Sequence, residues 1–346
     1  MSGLKFNISY VSRLPLIGDS PSVSISSNKP TDEIFDIFFV DADTDAIVTT
    51  KKCKVNQTVT GDRQWYTNWI IYIFDSKNNL IYSDRLNLKG KTVFIKIDAY
   101  ALGDNIAWIP YVEEFRKKHS CNVICSTFHN YLFERDYPQI LFAVPNTQIS
   151  NVYAQYYIGA STEPNLKYCP LISTNAPLQS IASKSLGLDS VEIIPRILSP
   201  NFEWISETRY VCISEHASSE NKEWKAVDGW QDVVDFLRAH HILTVVISKE
   251  PTKLKNVIDR TGDINLFSRI LDIKYSNFFM GVSSGLSWVA WALGKPVVLI
   301  SDCTPSFHEF QSNVIRLGGK ELSVIDYNAS KVTSVEEVIS ALKVII

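Results

Sequence analysis

The chain has 346 residues, 45% of them hydrophobic and 21% charged, so it is long enough for about two domains and does not have a disordered composition. Its 34 basic and 37 acidic residues give a formal charge of -3, which argues against a nucleic-acid binder of generally basic character. No apolar run approaches the ~18 residues of a membrane span. The N-terminus also lacks the apolar core of a signal peptide, so we expect a cytoplasmic protein.

Residues 1–88 have the pattern of a small antiparallel β module. Short runs rich in Ile, Phe and Tyr alternate with turn signals, and no long helical pattern interrupts them. These runs are KFNISYV, IFDIFFVDA, WIIYIFD and LIYSDRLNL. The module holds no catalytic cluster, so two roles stay open. It either recognises a protein acceptor through exposed aromatics such as Trp65 or Tyr66, or it covers apolar surface and mediates self-association.

From Lys89 onward, strand-like runs alternate with helical patterns, which is typical of parallel βαβ units. The extended runs are TVFIKID, CNVICSTF, ILFAVP and VEIIPRI. Apolar residues three apart predict a helix after the first of them: Ile106, Ile109, Val112 and Phe115. A second helix is predicted over residues 177–188, where Gly187 closes it.

A second alternating series begins near Arg209. It predicts the strands RYVCISEH, ILTVVIS, NFFMGV and PVVLIS, separated by helices, with a final helix SVEEVISALKVI. The two series join near 196–208, so we predict two facing Rossmann-like domains, 89–200 and 201–346, after the module 1–88. Ligands of such sheets bind outside the carboxyl ends of the strands, so we expect the ligand in the cleft between the domains.

The first loop at this cleft carries Gly103 and Asp104. Gly103 permits a tight turn with positive φ, and Asp104 then stands at the helix start. Asp104 is either a general base for an attacking hydroxyl or an N-cap of the helix. Ala107 stands where a capping box requires Glu or Gln, which weakens the second interpretation.

The second loop is Ser283-Ser284-Gly285, between a strand and a helix. Free amides at a helix N-terminus favour a phosphate group, and the alternative is an ordinary turn with a serine cap. The third loop carries Lys222 and Lys225, either of which could reach a diphosphate or stay solvated. Trp224 could pack against a ligand ring or close the loop. Weaker candidates for contacts with a sugar or base are His216, His308 and Glu309.

The sequence gives no sign of a catalytic metal site. Its six cysteines form neither a disulfide framework nor a paired zinc pattern, and Cys121 and Cys125 share one face of a strand as buried thiols. The letters Asp41-Ala42-Asp43 lie in the β module and predict a turn. We therefore expect no catalytic divalent metal and no cofactor.

Residues 88–138 and 261–301, with the stretch NKEWKAVDGWQDVVDFL, resemble bacterial heptosyltransferases of the GT-B fold. The closer resemblance is to the autotransporter heptosyltransferases, which modify serines of β-helical adhesins. The pairing of ALGDNIAW with SSGLSWVAWA carries it, together with the β-rich start, and it covers about residues 1–317.

This resemblance implies an inverting transfer of heptose from ADP-heptose to a protein hydroxyl, without a metal in the chemical step. It implies that Asp104, in the family's GD motif, is the base and that Lys222 holds the diphosphate. The residues implied to meet the donor are Ser283, Ser284, Gly285 and Leu286. Ser283 and Trp288 stand where the general heptosyltransferases carry Asp and His, as in the protein-modifying branch.

That branch also carries a C-terminal cysteine cluster, which binds iron and supports a ring assembly. No cysteine follows Cys303 here, so we expect neither, and self-association stays open. We predict a GT-B glycosyltransferase that binds a nucleotide sugar and a protein acceptor. One alternative is a related transferase that uses another nucleotide sugar or a saccharide acceptor. The other is a non-catalytic acceptor-binding partner, which the presence of both Asp104 and Lys222 disfavours.

Overall fold

Seven N-terminal strands form two antiparallel sheets in a computed structural model that describes residues 3–11, 20–29, 31–160, 170–199 and 209–346. One sheet has the order β1-β2-β5 and the other β4-β3-β6-β7. The strands are β1 (Leu4–Ser9), β2 (Ser22–Ser27), β3 (Ile34–Asp41), β4 (Ala46–Lys54), β5 (Thr58–Thr60), β6 (Trp69–Phe74) and β7 (Leu80–Arg85). Alternate residues of β3 and β6 are buried, which gives the module an apolar interior.

The β module packs directly on the first parallel domain. The Tyr66 ring lies against Phe115, His119 and Tyr156, and the Tyr66 amide donates to the Ser185 carbonyl at 2.9 Å. Trp65 is half-buried beside the Arg63 guanidinium. The expectation that Tyr66 is an exposed aromatic is therefore wrong, because this ring fills the junction between the two units.

The first parallel sheet has the order β10-β9-β8-β11, with strands β8 (Thr92–Ile97), β9 (Asn122–Ser126), β10 (Ile140–Ala143) and β11 (Ala154–Ile158). Its helices are α1 (Leu102–His119) and α2 (Leu178–Ser185). The predicted apolar face of α1 is fully buried, and so are Trp108 and Tyr111 on its other sides. Helix α1 is enclosed in this way because it also contacts α2 and a helix of the second domain.

The second parallel sheet has six strands in the order β14-β13-β12-β15-β16-β17. They are β12 (Tyr210–Ser214), β13 (Leu243–Val246), β14 (Ile258–Asp259), β15 (Phe279–Val282), β16 (Val297–Ile300) and β17 (Val314–Leu317). The helices are α3 (Gly229–Ala239), α4 (Leu266–Tyr275), α5 (Gly285–Ala292) and α6 (Val335–Ile345). This is the strand order of a doubly wound nucleotide-binding fold, in which the direction of winding reverses between β12 and β15.

The two parallel domains touch through helices and loops. Helix α1 contacts α5, and the Leu178 amide donates to the His308 carbonyl at 2.8 Å. The predicted domain boundaries at 88/89 and 200/201 stay predictions, and the junction residues 200–208 lie outside the described residues. Within the described part of the chain, no helix is long and apolar enough to cross a bilayer.

Candidate active site

A cavity of about 720 Å³ opens between the two parallel sheets. Its walls come from loops at the carboxyl ends of strands, as the winding of both sheets requires. Residues 101–104 follow β8, Ser214 ends β12 and His216 follows it, and Ser283 to Leu286 follow β15. The cavity therefore lies at the point where the second sheet reverses its winding.

Asp104 lies in the first turn of α1, where the cavity meets the first domain. The helix begins at Leu102 and its cap position is Ala101, so Asp104 is not the N-cap. Burial raises the pKa of Asp104 to about 6, although the nearby positive charge of Lys222 opposes the shift. Asp104 is thus a carboxylate at neutral pH that is basic enough to take a proton from a reacting hydroxyl.

The raised pKa of Asp104 predicts a pH profile. If Asp104 must be ionised to act as the base, kcat/KM falls about tenfold per pH unit below a midpoint near 6 and is flat above about 7. An ordinary carboxyl would place the midpoint near 4. The profile is measured from pH 5 to 8 in buffers of constant ionic strength. A flat profile over this range would contradict the assignment.

Gly103 lies where the first turns of α1 and α5 meet. A Cβ added at Gly103 would lie 3.0 Å from Trp288 Cδ1 and 3.6 Å from the Gly285 Cα. A Cβ added at Gly285 would lie 2.9 Å from the Leu102 Cβ. The prediction of positive φ at Gly103 is not met, because Gly103 is helical. The glycines instead let two helix N-termini approach each other at the cavity.

The variant Gly103→Ala tests this close approach, because the contact decides whether the free energy of unfolding rises or falls. At an open helical site the change would stabilise by roughly 0.5–1 kcal/mol. Trp288 is buried between Trp291 and Phe310 and cannot move freely. We therefore expect the free energy of unfolding to fall by about 1–3 kcal/mol. Urea unfolding measures the difference. A more stable variant would show that the contact does not constrain the helices.

Lys222 lines the cavity and Lys225 does not. Lys222 ends a short 3-10 turn after β12, and its charge affects the pKa values of Asp104 on the first domain and His308 on the second. Lys225 is exposed and pairs with Glu223 at 3.6 Å. Of the two lysines that the sequence left open, the geometry favours Lys222 as the one that faces a ligand.

The turn from β15 into α5 is held by a buried ionic network. Ser283 Oγ donates to Glu309 Oε1 at 2.5 Å, and Glu309 also accepts from Thr304 and pairs with Arg316. Burial alone would raise the pKa of Glu309, but Arg316 and the other partners lower it, so the carboxylate stays ionised. The Glu309 carboxylate is therefore not available to bind a sugar. It fixes the turn that presents Ser284 and the first amides of α5 to the cavity.

Two further weak candidates, Trp224 and His308, make hydrogen bonds within the protein. Trp224 does not line the cavity. It is buried against Trp230, with its Nε1 donating to the Thr333 carbonyl at 2.8 Å, so it closes the loop. His308 lines the cavity, and its Nδ1 lies 3.1 Å from the Ala176 carbonyl of the first domain. Burial is the main cause that lowers the pKa of His308, which favours the neutral ring.

Several cavity residues were missed by sequence reasoning. Lys249 lies three residues after β13, and its place in the loop beyond a strand was an available signal. Arg269 lies inside α4, where a single basic residue has no distinguishing pattern. Its Nη2 donates to the Gly262 carbonyl at 2.6 Å. His129 and Tyr131, after β9, line the opposite wall.

Comparison with known proteins yields a consistent group of relatives, although no protein-family model matches the chain. The autotransporter heptosyltransferase Aah of Escherichia coli is 31% identical over 265 residues, covering 73% of this chain and 68% of Aah. The autotransporter heptosyltransferase BAHTCr of Citrobacter rodentium is 29% identical over 272 residues, covering 75% of this chain and 66% of BAHTCr. The matched region thus spans about two thirds of these relatives.

The crystal structure of the dodecameric iron-containing heptosyltransferase TibC with ADP-D-beta-D-heptose superimposes with a TM-score of 0.83 at 21% identity. It covers 98% of this chain and 95% of that chain. This likeness confirms the predicted GT-B architecture with an N-terminal β-rich region. A further relative, BimC of Burkholderia thailandensis, is 29% identical over 272 residues, covering 73% of this chain and 63% of BimC, and is described as an inactive autotransporter heptosyltransferase.

The expectation of no cofactor is contradicted by this comparison, because TibC contains iron. Within the described ranges, no three His, Cys, Asp or Glu side chains are grouped to hold a metal ion. The five described cysteines are buried free thiols, and Cys169 lies outside these ranges. The described residues therefore do not form an iron site.

Proposed function

The chain belongs to the autotransporter heptosyltransferase family, and we propose that it transfers heptose from ADP-heptose to hydroxyl groups of a protein acceptor such as an autotransporter adhesin. The observation that carries the proposal is that Asp104, Lys222 and the N-terminal turn of α5 all line one cavity. A base together with a cation and helix-end amides for the diphosphate is what a single displacement at a sugar carbon requires.

The proposed reaction inverts the configuration at the sugar carbon. The acceptor hydroxyl attacks that carbon from the face opposite the ADP, a new C–O bond forms, and the bond to the diphosphate oxygen breaks. Asp104 takes the hydroxyl proton as attack proceeds. Lys222 and the first amides of α5 meet the negative charge that builds on the diphosphate.

The Ser284 hydroxyl supports the same donor placement. Its oxygen is buried at the cavity wall and has no hydrogen-bond partner within the described part of the chain. A buried polar atom without a partner is costly, and a phosphate oxygen of the donor would satisfy it.

Self-association is a further proposal. TibC is described as dodecameric, and we propose that this chain also self-associates. The cytoplasmic location expected from the sequence stays a prediction.

A second candidate function is a non-catalytic partner that binds the acceptor. The inactive relative BimC makes this a specific alternative, since it is almost as similar as the active relatives. Asp104 and Lys222 both face the cavity, as an active enzyme requires. A related transferase with another nucleotide sugar or a saccharide acceptor is the remaining alternative within enzymes.

Co-expression with fragments of autotransporter adhesins tests the proposal. Intact-mass analysis of the purified fragment should show additions of one heptose residue, and none without this chain. Additions of a hexose residue would favour another nucleotide sugar. An unmodified fragment that co-purifies with the chain would favour the non-catalytic partner.

A further inference from the structure

A cluster of four aromatic side chains lies beside the cavity, and two of them line it. Tyr100 follows β8, and Phe128, His129 and Tyr131 follow β9, so all four lie at the carboxyl edge of the first parallel sheet. His129 and Tyr131 line the same cavity as Asp104. We refer to these four residues as the aromatic rim.

Two rings of the rim are largely exposed. Tyr100 is 78% exposed and Tyr131 is 51% exposed. The Tyr100 and Phe128 rings stack at 4.0 Å with an interplanar angle of 26°, and the His129 ring lies edge-on to Tyr131 at 6.3 Å. Large aromatic rings grouped at a surface beside a cavity are typical of a binding site.

The loop that carries Phe128, His129 and Tyr131 is held by hydrogen bonds. The Asn130 side chain accepts from the Thr127 amide at 2.9 Å and donates to the Ala143 carbonyl at 2.7 Å. His129 Nε2 lies 3.1 Å from the Tyr100 carbonyl, which ties the two loops together. The buried side chains of Leu132 and Phe133 anchor the end of the loop. Rings that are already fixed lose little conformational entropy when a ligand binds.

The position of the rim favours binding of the acceptor rather than the donor. Lys222, Ser284 and the first turn of α5 come from the second domain, whereas the rim and Asp104 come from the first. In an in-line displacement the acceptor enters from the side opposite the diphosphate, which is the side of Asp104 and the rim. The rings also offer apolar contact, which suits a peptide segment better than a diphosphate.

We propose that Tyr100, Phe128, His129 and Tyr131 form an acceptor subsite, which binds the stretch of protein chain that flanks the modified hydroxyl. This inference rests on the proposed function and adds the acceptor-binding residues to it. The rim positions the hydroxyl over Asp104 and takes no part in proton transfer.

The variants Tyr131→Ala and Tyr100→Ala test the subsite. With ADP-heptose saturating and a purified adhesin passenger fragment as acceptor, we expect each to raise the acceptor KM roughly tenfold or more. The affinity for ADP, measured by calorimetry, should not change. Tyr131→Phe keeps the ring and should retain most of the acceptor binding. Tyr327→Ala is the matched control, since Tyr327 is 46% exposed and belongs neither to the cavity lining nor to the group around Tyr131.

The outcomes separate this inference from the function on which it rests. An unchanged acceptor KM in both alanine variants overturns the subsite while heptose transfer stands. A weakened ADP affinity assigns the rim to the donor and also overturns the inference. If the wild-type chain transfers no heptose to the passenger fragment, the proposed function fails, and the acceptor subsite fails with it.

Discussion

Asp104→Asn is expected to lower the rate of heptose transfer by about 10²–10⁴ while the fold is kept, because loss of a positioned base typically costs this much. The amide has nearly the shape of the carboxyl group but cannot take the hydroxyl proton. The carboxylate accepts no hydrogen bond from the described residues that the change would remove. The affinity for ADP should be equal or higher, since the variant removes a negative charge near the diphosphate.

Glu114→Gln is the matched control for Asp104→Asn. Glu114 lies on the same helix, pairs with Lys117 at 2.8 Å and does not line the cavity, so its removal should leave transfer unchanged. Single-turnover rates and calorimetric titration with ADP separate chemistry from donor binding. Full turnover in Asp104→Asn would remove the base assignment and leave Asp104 a residue of the first helical turn only.

Lys222→Ala is expected to weaken ADP binding by about 1.5–3 kcal/mol, the usual contribution of a charge-assisted hydrogen bond. This corresponds to a rise in Kd of roughly 10- to 150-fold. The same variant should move the midpoint of the pH profile upward. In the wild-type chain, Lys222 holds the pKa of Asp104 below the value that burial alone would give. Two independent readouts therefore report on one side chain.

Lys225→Ala controls for a general loss of positive charge in this loop. Lys225 is exposed and pairs with Glu223, so its removal should leave the ADP affinity within about twofold of the wild type. An equal Kd in wild type and Lys222→Ala would contradict the diphosphate role. A larger loss in Lys225→Ala than in Lys222→Ala would transfer the role to Lys225.

Regular elements with strong apolar patterns could be predicted from the sequence. The helix predicted over 177–188 is observed as α2, and the four strands predicted in the second domain are observed close to their predicted runs. Strands with little apolar signal were missed, such as β2 and β4, which are rich in Ser, Thr and Lys. β2 pairs with β1 and β4 pairs with β3, so these strands are placed by a neighbouring strand and not by an apolar pattern of their own.

The run 191–197, which the sequence predicts to be extended, is an apolar segment that does not become a strand. It contains Pro195 and joins no sheet. Its backbone pairs instead with a side chain, since Gln179 Nε2 donates to the Ile193 carbonyl and Gln179 Oε1 accepts the Ile193 amide. A side-chain partner from another helix leaves no periodic signal in the sequence.

The site was predictable where its residues follow strands, and less so where tertiary contacts decide. Asp104 and the turn after β15 were candidates because they follow strands, whereas Lys222 was chosen over Lys225 only through the family resemblance. The structure brings all three to one cavity. The need for a glycine at position 103 was not predictable, because it comes from a close contact with Trp288 on a helix far along the chain. Glu309 was placed near the ligand by position, but its buried partner Arg316 assigns it to supporting the turn.

The most direct test of the account uses purified components. The wild-type chain and Asp104→Asn are each incubated with ADP-heptose and an adhesin passenger fragment, and the intact mass of the fragment is followed with time. We predict that the wild-type chain adds heptose residues to the fragment and releases ADP, whereas Asp104→Asn binds ADP but adds heptose at least a hundredfold more slowly. Equal heptose addition by both proteins, or none by the wild-type chain, would contradict the account.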